Sequence, residues 1–228
     1  MLDYKYIYFV GVILALIVWI IFFIIRKDTR KEMLILSLIF GIPGPLAAYV
    51  HLSDWWKPIT LTGNPIGIED FIFGFTMGGI AGVIYEIMLN KKMKTKNKKL
   101  NIRLILIPIS LMFITYFGFS LLLNLNTFIS SISAFIIPTI IIWIKRKDLI
   151  KDSLLSGLLF AIFAFFGYQL LNIISPGFFE VFWSFKNIGK IIFLNIPLEE
   201  YIWFFTFGCF FGPLYEYWKK GKLINKRG

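Results

Sequence analysis

Cysteine and histidine are almost missing from this sequence, which holds one of each, Cys209 and His51. A single cysteine excludes a disulfide within the chain, and a single histidine excludes the histidine-rich metal centres of membrane oxygenases and desaturases. No glycine-rich strand-to-helix motif for a dinucleotide is present either. We therefore expect no metal site and no cofactor. Cys209 is typical of a small apolar packing residue, and His51 of an interfacial position at a helix end.

Acidic residues are also scarce, 13 against 24 lysines and arginines, while 58% of the residues are hydrophobic. So large an apolar fraction cannot be hidden in a soluble core. The net charge of +11 could suggest nucleic acid, but the basic residues cluster at the ends of apolar segments and not over a domain surface. We therefore expect the lipid bilayer as a partner and no nucleic acid.

Seven segments have the roughly 20 apolar residues that a helix needs to cross about 30 Å of hydrocarbon. The uncharged run over residues 104–144 is too long for one span, and turn-forming residues 124–127 divide it. The first segment lacks a basic start and a small-residue cleavage site, which favours a retained helix over a signal peptide. The fold class predicted is all-α integral membrane with seven transmembrane helices. The spans are residues 7–25, 33–52, 68–89, 104–123, 128–144, 153–175 and 191–217.

Basic residues fall at alternate span ends. Residues 26–31, 91–103, 145–151 and 219–227 carry 20 of the 24, and the other ends carry the remainder. Because basic loops stay in the cytoplasm, this pattern predicts a multi-pass protein of the cell membrane with its N terminus outside and its C terminus in the cytoplasm.

The chain contains an internal repeat. Residues 69–86 align without a gap on residues 199–216, and eight of the 18 positions are identical. Four helices separate each predicted span from its counterpart, so the two halves enter the membrane in the same direction, as expected for parallel repeats related by an axis along the membrane normal. We predict a first three-helix repeat over residues 1–100, a connecting helix over 101–126 and a second three-helix repeat over 127–228.

Some repeated residues have purely structural interpretations. Glycines in GxxxG spacing let a neighbouring helix approach closely. A Tyr-Glu pair near lysines at the cytoplasmic end of a span is typical of an interfacial anchor. The glycines are Gly78, Gly82, Gly208 and Gly212, and the predicted anchors are Tyr85, Glu86, Tyr215 and Glu216.

Paired acids open both copies of the repeated helix: Glu69 with Asp70, and Glu199 with Glu200. Carboxylates in a first turn stabilise a helix by about 0.3–1 kcal/mol each, so capping alone is one interpretation. In the second copy, however, the apolar run 191–195 precedes the pair. If that run is membrane-embedded helix, Glu199 lies about 12 Å beyond its start, at a depth where a carboxylate costs several kcal/mol and is usually functional.

The stretch "NIPLEEYIWFF" (195–205), followed by a Tyr-Glu, resembles the membrane lycopene cyclase domain of carotenoid pathways, whose signature is a P-x-E-E helix. That domain has three spans and occurs either as two small subunits or as two copies in one chain, and the repeat here is similar to the fused form. Gly67 stands where the family tends to have proline, so the first copy departs from the motif.

The resemblance implies an isomerase of the intramolecular lyase type. It would cyclise the end group of a lycopene-like polyene by acid-base chemistry without oxidation, and would associate with other carotenoid enzymes. Desolvation disfavours the charged form of a carboxyl group, which suits a general acid, and aromatic faces stabilise a carbocation. The implied catalytic residues are Glu199, Glu200, Glu69 and Asp70. The implied substrate-binding residues are Tyr201, Trp203, Phe204, Phe205, Thr206, Thr76 and Pro197.

Other functions remain open at this point. Acids in a seven-helix repeat protein also suit a small proton or cation transporter, and a non-catalytic protein that binds a carotenoid or a partner enzyme would carry the same layout. A prenyltransferase would need Asp-rich magnesium motifs, for which Asp148 and Asp152 are a poor match because they lie at a cytoplasmic turn.

The distribution of basic residues makes a topology prediction that reporter fusions test. A cytoplasmic signal at the last outer position, Lys186, would contradict both the seven-span arrangement and the parallel repeat. We expect a cytoplasmic signal after Lys31, Lys98, Lys147 and Lys222, and an outside signal near Lys57, Asn126 and Lys186.

Overall fold

The computed structural model describes residues 2–52, 54–95, 102–184 and 189–226, and most of this chain is helical. Lys98 and Lys186, which belong to the topology prediction, and residue 101, where the connecting helix was expected to begin, lie outside the described residues. The helices are α1 (Tyr4–Ile25), α2 (Arg30–Gly41), α3 (Gly44–His51), α4 (Ile68–Met88), α5 (Ile102–Phe117), α6 (Thr127–Lys145), α7 (Ile150–Ile174), α8 (Phe178–Phe182), α9 (Leu198–Phe211) and α10 (Leu214–Lys219). The short strands are β1 (Lys91–Lys94), β2 (Ile192–Phe193), β3 (Ile196–Pro197) and β4 (Lys222–Asn225).

The length and composition of the helices identify an all-α, multi-pass membrane protein. Five described helical segments are long and apolar enough to cross a bilayer, and α2 with α3 makes a sixth if the bent pair counts as one span. The axis bends by 41° between these two helices. Pro43 and Pro45 lie at the bend, and neither ring can donate the backbone hydrogen bond that a straight helix needs there.

The start of the last predicted span is wrong. Residues 191–197 do not form helix: β2 and β3 make an antiparallel hairpin whose turn residues, Leu194 and Asn195, have φ of 49° and 62°. The apolar side chains before and within β2 and at the turn are exposed on the protein surface, whereas Ile196 and Pro197 of β3 are buried. The acids of the second copy therefore lie in the first turn of α9, as those of the first copy do in α4.

The second copy of the acidic helix is also interrupted. α9 ends at Phe211 and α10 begins at Leu214, whereas α4 runs through the equivalent region without a break. Pro213 aligns with Val83 of α4, and a proline inside a helix removes one backbone donor and crowds the preceding turn.

The predicted GxxxG packing is confirmed in both copies. α4 packs on α2, where a Cβ added to Gly78 would lie 2.5 Å from the backbone oxygen of Leu36. α9 packs on α7, where a Cβ added to Gly208 would lie 2.9 Å from the backbone oxygen of Ser156. Any larger residue would push these helix pairs apart, which explains the glycines.

α1 and α6 end in the same Arg-Lys-Asp turn. Arg26 Nη2 lies 2.9 Å from Asp28 Oδ2, and Arg146 Nη2 lies 2.7 Å from Asp148 Oδ2. The hydrogen bond from Arg26 lowers the pKa of Asp28 to about 2. Each arginine also donates to a backbone oxygen of the chain that follows an acidic helix, at Lys91 and at Gly221. β1 and β4 pair there, so the basic ends of both halves meet at one end of the molecule.

The prediction that two Tyr-Glu pairs are interfacial anchors is wrong. All four side chains are buried by neighbouring helices, with exposed fractions of 1–6%. Lys219, which was expected to accompany Glu216, instead places its Nζ 4.1 Å from the centre of the Trp218 ring. The affected residues are Tyr85, Glu86, Tyr215 and Glu216.

A substitution at the contact between α2 and α4 tests this packing. We expect Gly78→Ala to lower the stability of the purified protein by about 1–3 kcal/mol, because the added methyl group meets backbone and not a flexible side chain. Gly118→Ala is the matched control, since its Cβ would meet nothing within 4 Å. Equal thermal midpoints for the two variants in detergent would contradict the close helix contact.

Candidate functional site

The four predicted catalytic acids occupy the first turns of α4 and α9 and are all buried, with exposed fractions of 1–6%. In each copy the first acid is the second residue of its helix, and the second acid is the third. Adjacent positions on a helix point about 100° apart. The two members of each pair accordingly have different surroundings: Glu69 and Glu199 face loops, whereas Asp70 and Glu200 face other helices.

Glu200 is held by two aromatic side chains from outside its own helix. Tyr168 Oη, on α7, donates to Glu200 Oε2 at 2.5 Å, and Trp183 Nε1, just after α8, donates to Oε1 at 2.7 Å. Neither donor is a backbone N–H of α9. Capping alone therefore does not explain this carboxyl group.

Asp70 combines both roles that the sequence left open. Its Oδ2 accepts a hydrogen bond of 2.8 Å from the backbone N–H of Gly67, which is a helix cap. Its Oδ1 accepts a hydrogen bond of 2.8 Å from Tyr8 Oη on α1. The second acid of each copy is thus tied to a tyrosine, although the two tyrosines come from elements that do not correspond in the repeat.

The first acids have a different arrangement. Glu69 Oε1 accepts from the backbone N–H of Leu61 at 2.7 Å, and Glu199 Oε1 lies beside the loop at Gly189. The other oxygen of each, Oε2, is buried without a hydrogen-bond partner among the described residues. A Cβ on Gly67 would lie 2.0 Å from Glu69 Oε2, so a proline at this position would require the Glu69 carboxyl group to move.

A cavity of about 390 Å³ lies between α1, α4, α7, α8 and α9. No acid lines it among the described residues, but Tyr8, Tyr168 and Trp183 do, so Asp70 and Glu200 lie one hydrogen bond behind its wall. Aromatic side chains form much of that wall. They are Tyr8, Trp56, Phe73, Phe163, Phe166, Tyr168, Phe178, Phe182, Trp183 and Phe204.

The lining of the cavity runs from a pair of tryptophans to residues on the protein surface. Trp56 and Trp183 form a backbone bridge at the end near the acids, and the Trp56 ring packs edge-on against Tyr8 at 5.2 Å. The side walls between α1 and α7 include Ile17 and Phe166, which are 48% and 65% exposed on the helix surface. The lining of the cavity therefore extends to the exposed surface of α1 and α7.

The predicted substrate-binding residues are spread over several environments. Phe204 lines the large cavity, and Trp203 lines a smaller one of about 40 Å³ beside His51. Phe205 packs on α7 at Gly157. The remaining four do not line either cavity: Tyr201 Oη donates to the oxygen of Phe193, Thr76 and Thr206 donate to backbone oxygens of their own helices, and Pro197 is the residue before α9.

Sequence reasoning missed the tyrosines and the tryptophan that bind the acids. Tyr8 follows Tyr4 and Tyr6, and such a series resembles an ordinary aromatic belt at a membrane surface. Tyr168 gave a usable signal, because it stands beside Gln169 inside an otherwise apolar helix. Nothing in the sequence indicated that Trp183 would bind Glu200, since that contact depends on how the chain after α8 packs in three dimensions.

Comparison with known proteins places this site in a family. A family model described as lycopene cyclase matches residues 4–88 and 126–218, well over half of the chain. The first region begins with α1 and ends with α4, and the second begins at the residue before α6 and ends in α10, which is consistent with two copies of one domain. Neither curated proteins nor solved structures show a significant match. With both matched regions containing a buried acid bonded to a cavity-lining tyrosine, the chain belongs to the lycopene cyclase family.

Proposed function

We propose that this protein is an intramembrane carotenoid cyclase that closes the end group of a lycopene-like polyene into a ring by acid-base chemistry. The observation that carries the proposal is Glu200, whose two oxygens are held by Tyr168 and Trp183 in the wall of an apolar cavity whose lining extends to the surface of α1 and α7. No bond is oxidised in such a reaction, so the enzyme is an isomerase.

The cavity suits the end of a long hydrocarbon and not its whole length. Its volume lies near the lower limit of the roughly 300–1,000 Å³ usual for ligand pockets. A polyene would insert its end group between α1 and α7, while the rest of the chain stays in the bilayer. Gly167 of α7 lines this entrance, and the space beside it is free for at least 4 Å.

The reaction needs a proton delivered and a proton removed. Protonation of a terminal double bond gives a tertiary cation, a neighbouring double bond attacks that cation and closes the ring, and loss of a proton from the ring restores neutrality. A hydroxyl group both donates and accepts hydrogen bonds, so Tyr168 can pass a proton between Glu200 and the cavity. Tyr8 can do the same for Asp70. One pair would deliver the proton and the other would take it up.

The aromatic wall has two consequences for the cation. Ring faces attract positive charge and stabilise it by about 0.5–2 kcal/mol each. The same rings keep out water, which would otherwise capture the cation as an alcohol. Two rings of this wall, Phe73 of α4 and Phe204 of α9, belong to the same helices as the acids.

We further propose that the chain crosses the membrane seven times as two parallel repeats joined by the connecting helix, with the N terminus outside. Equivalent contacts in the two halves support this arrangement: the Arg26 and Arg146 turns bind equivalent backbone positions, and Gly78 and Gly208 pack on equivalent residues of α2 and α7. The α9–α10 pair would be the seventh crossing, interrupted at Pro213.

Substitution of Glu200 tests the proposal in cells that accumulate lycopene. The measurement is the pigment composition, normalised to the level of the protein in the membrane. We expect the wild type to convert lycopene to ring-bearing products. Glu200→Gln should lower ring formation by about 10²–10⁴-fold, because glutamine keeps the shape but cannot transfer a proton. Asp70→Asn should lower it less, since the first copy departs from the P-x-E-E motif at Gly67. Glu180→Gln, which changes an exposed acid of α8, should have no effect.

The tyrosine relay has its own test in the same assay. Tyr168→Phe should slow ring formation by about tenfold or more while the protein still accumulates, because the ring remains and only the hydroxyl is lost. Tyr6→Phe, at an exposed position of α1, is the control. Full activity in both Glu200→Gln and Tyr168→Phe would show that the chemistry does not use this pair.

Blocking the entrance is an independent test of the cavity. We expect Gly167→Leu to abolish ring formation without loss of protein, because leucine would project into the opening between α1 and α7. Gly118→Leu introduces the same side chain into open space away from the cavity and should remain active. Equal activity of the two variants would exclude this entrance.

A further inference from the structure

A second group of buried acids lies far from the proposed active site. Glu32 is in the first turn of α2, Glu86 is near the end of α4 and Glu216 is in the first turn of α10. Sixteen residues of α4 separate Asp70 from Glu86, which corresponds to about 24 Å along the helix axis. This group therefore plays no part in the proton transfers proposed above.

The three carboxyl groups converge and are incompletely bonded. One oxygen from each lies within 4.8 Å of the others, and the exposed fractions of the three residues are 3%, 2% and 1%. Each also has a buried oxygen without a hydrogen-bond partner in the described part of the chain: Glu32 Oε1, Glu86 Oε1 and Glu216 Oε2. Buried polar atoms are nearly always bonded, so three orphaned oxygens at one place indicate a missing partner.

The nearest basic side chain does not supply that partner. Arg26 Nη2 lies 3.7 Å from Glu86 Oε2, but this guanidinium already donates to Asp28 and to the backbone oxygens of Glu86 and Lys91. Glu86 and Glu216 share a side-chain hydrogen bond with each other, but the three carboxyl groups together face one arginine that is shared with a fourth acid. Among the ion pairs found between described residues, none joins a lysine to any of the three.

We propose that Glu32, Glu86 and Glu216 bind one divalent cation that prefers oxygen ligands. Two ligands of one ion are separated by at most twice the ion-oxygen distance, which is about 4.6–5.2 Å for Ca²⁺ and about 4.0–4.2 Å for Mg²⁺. Oxygens within 4.8 Å of one another thus suit an ion of the size of Ca²⁺ as they stand, and Mg²⁺ or Mn²⁺ after a small inward movement. Carboxylate oxygen without sulfur or imidazole excludes a preference for softer metals.

The site would have a structural role. Its ligands come from α2 and α4 of the first half and from α10 of the second, so a bound ion would join the two halves at the end where β1 and β4 also pair. A cation held by three buried carboxylates also removes the repulsion that these groups exert on one another.

The test uses the purified full-length protein in detergent, freed of metal with EDTA and titrated with Mn²⁺ under electron paramagnetic resonance. We expect saturable binding of one Mn²⁺ per chain, displaced by Ca²⁺ or Mg²⁺. Glu32→Gln, Glu86→Gln and Glu216→Gln should each weaken binding by about tenfold or more, since each removes a charged ligand. Glu180→Gln and Asp148→Asn, which change acids outside the group, should bind as the wild type does.

A second measurement keeps the test decisive if a glutamine variant fails to fold. The thermal midpoint of the wild type should rise when Mn²⁺ is added to metal-free protein, as expected for a ligand that binds only the folded state. Absence of saturable binding to the wild type would overturn the proposal, because protons would then be the counter-charges. Binding that persists unchanged in the folded glutamine variants would overturn it as well.

Discussion

Buried carboxyl groups are the constraint on which the rest of this structure depends. A membrane interior offers no water to bond a polar group, so each acid must find partners within the protein. At one end of α4 and α9, the partners of Asp70 and Glu200 are tyrosine and tryptophan side chains that line an apolar cavity. At the other end, Glu32, Glu86 and Glu216 converge, and each has a buried oxygen without a hydrogen-bond partner in the described part of the chain. The same kind of side chain thus has two different surroundings.

The two halves contribute unequally to the cavity. Both supply an acid bonded to a tyrosine, yet Tyr8 comes from the first helix of its half and Tyr168 from the second helix of the other. In the first copy Glu69 Oε2 lies beside Gly67, where the second copy has Pro197. The two acid pairs therefore have different surroundings.

Much of the fold could be predicted from short-range patterns in the sequence. Apolar runs and basic turns located α1, α4, α6 and α7 to within a few residues, and glycine spacing identified the contacts between helices. The hairpin at residues 191–197 was missed because an apolar run this short is equally compatible with a strand and with a helix. The acids of the proposed site were predicted because a carboxylate inside a membrane is energetically unfavourable and therefore usually functional. Their tyrosine partners were not, since contacts between distant helices leave no periodic signal. The buried Glu86 and Glu216 were misjudged because lysines close in sequence need not be close in space.

In the proposed reaction, carboxyl groups of this protein give a proton to a polyene and remove another. This reaction is tested most directly by incubating the purified protein with lycopene in liposomes prepared in D₂O and measuring the mass of the product. We expect one deuterium for each ring closed, because the delivering acid exchanges its proton with solvent and the departing proton leaves through a different group. Rings that form without deuterium would contradict the proposed reaction, since the proton would then have moved within the substrate.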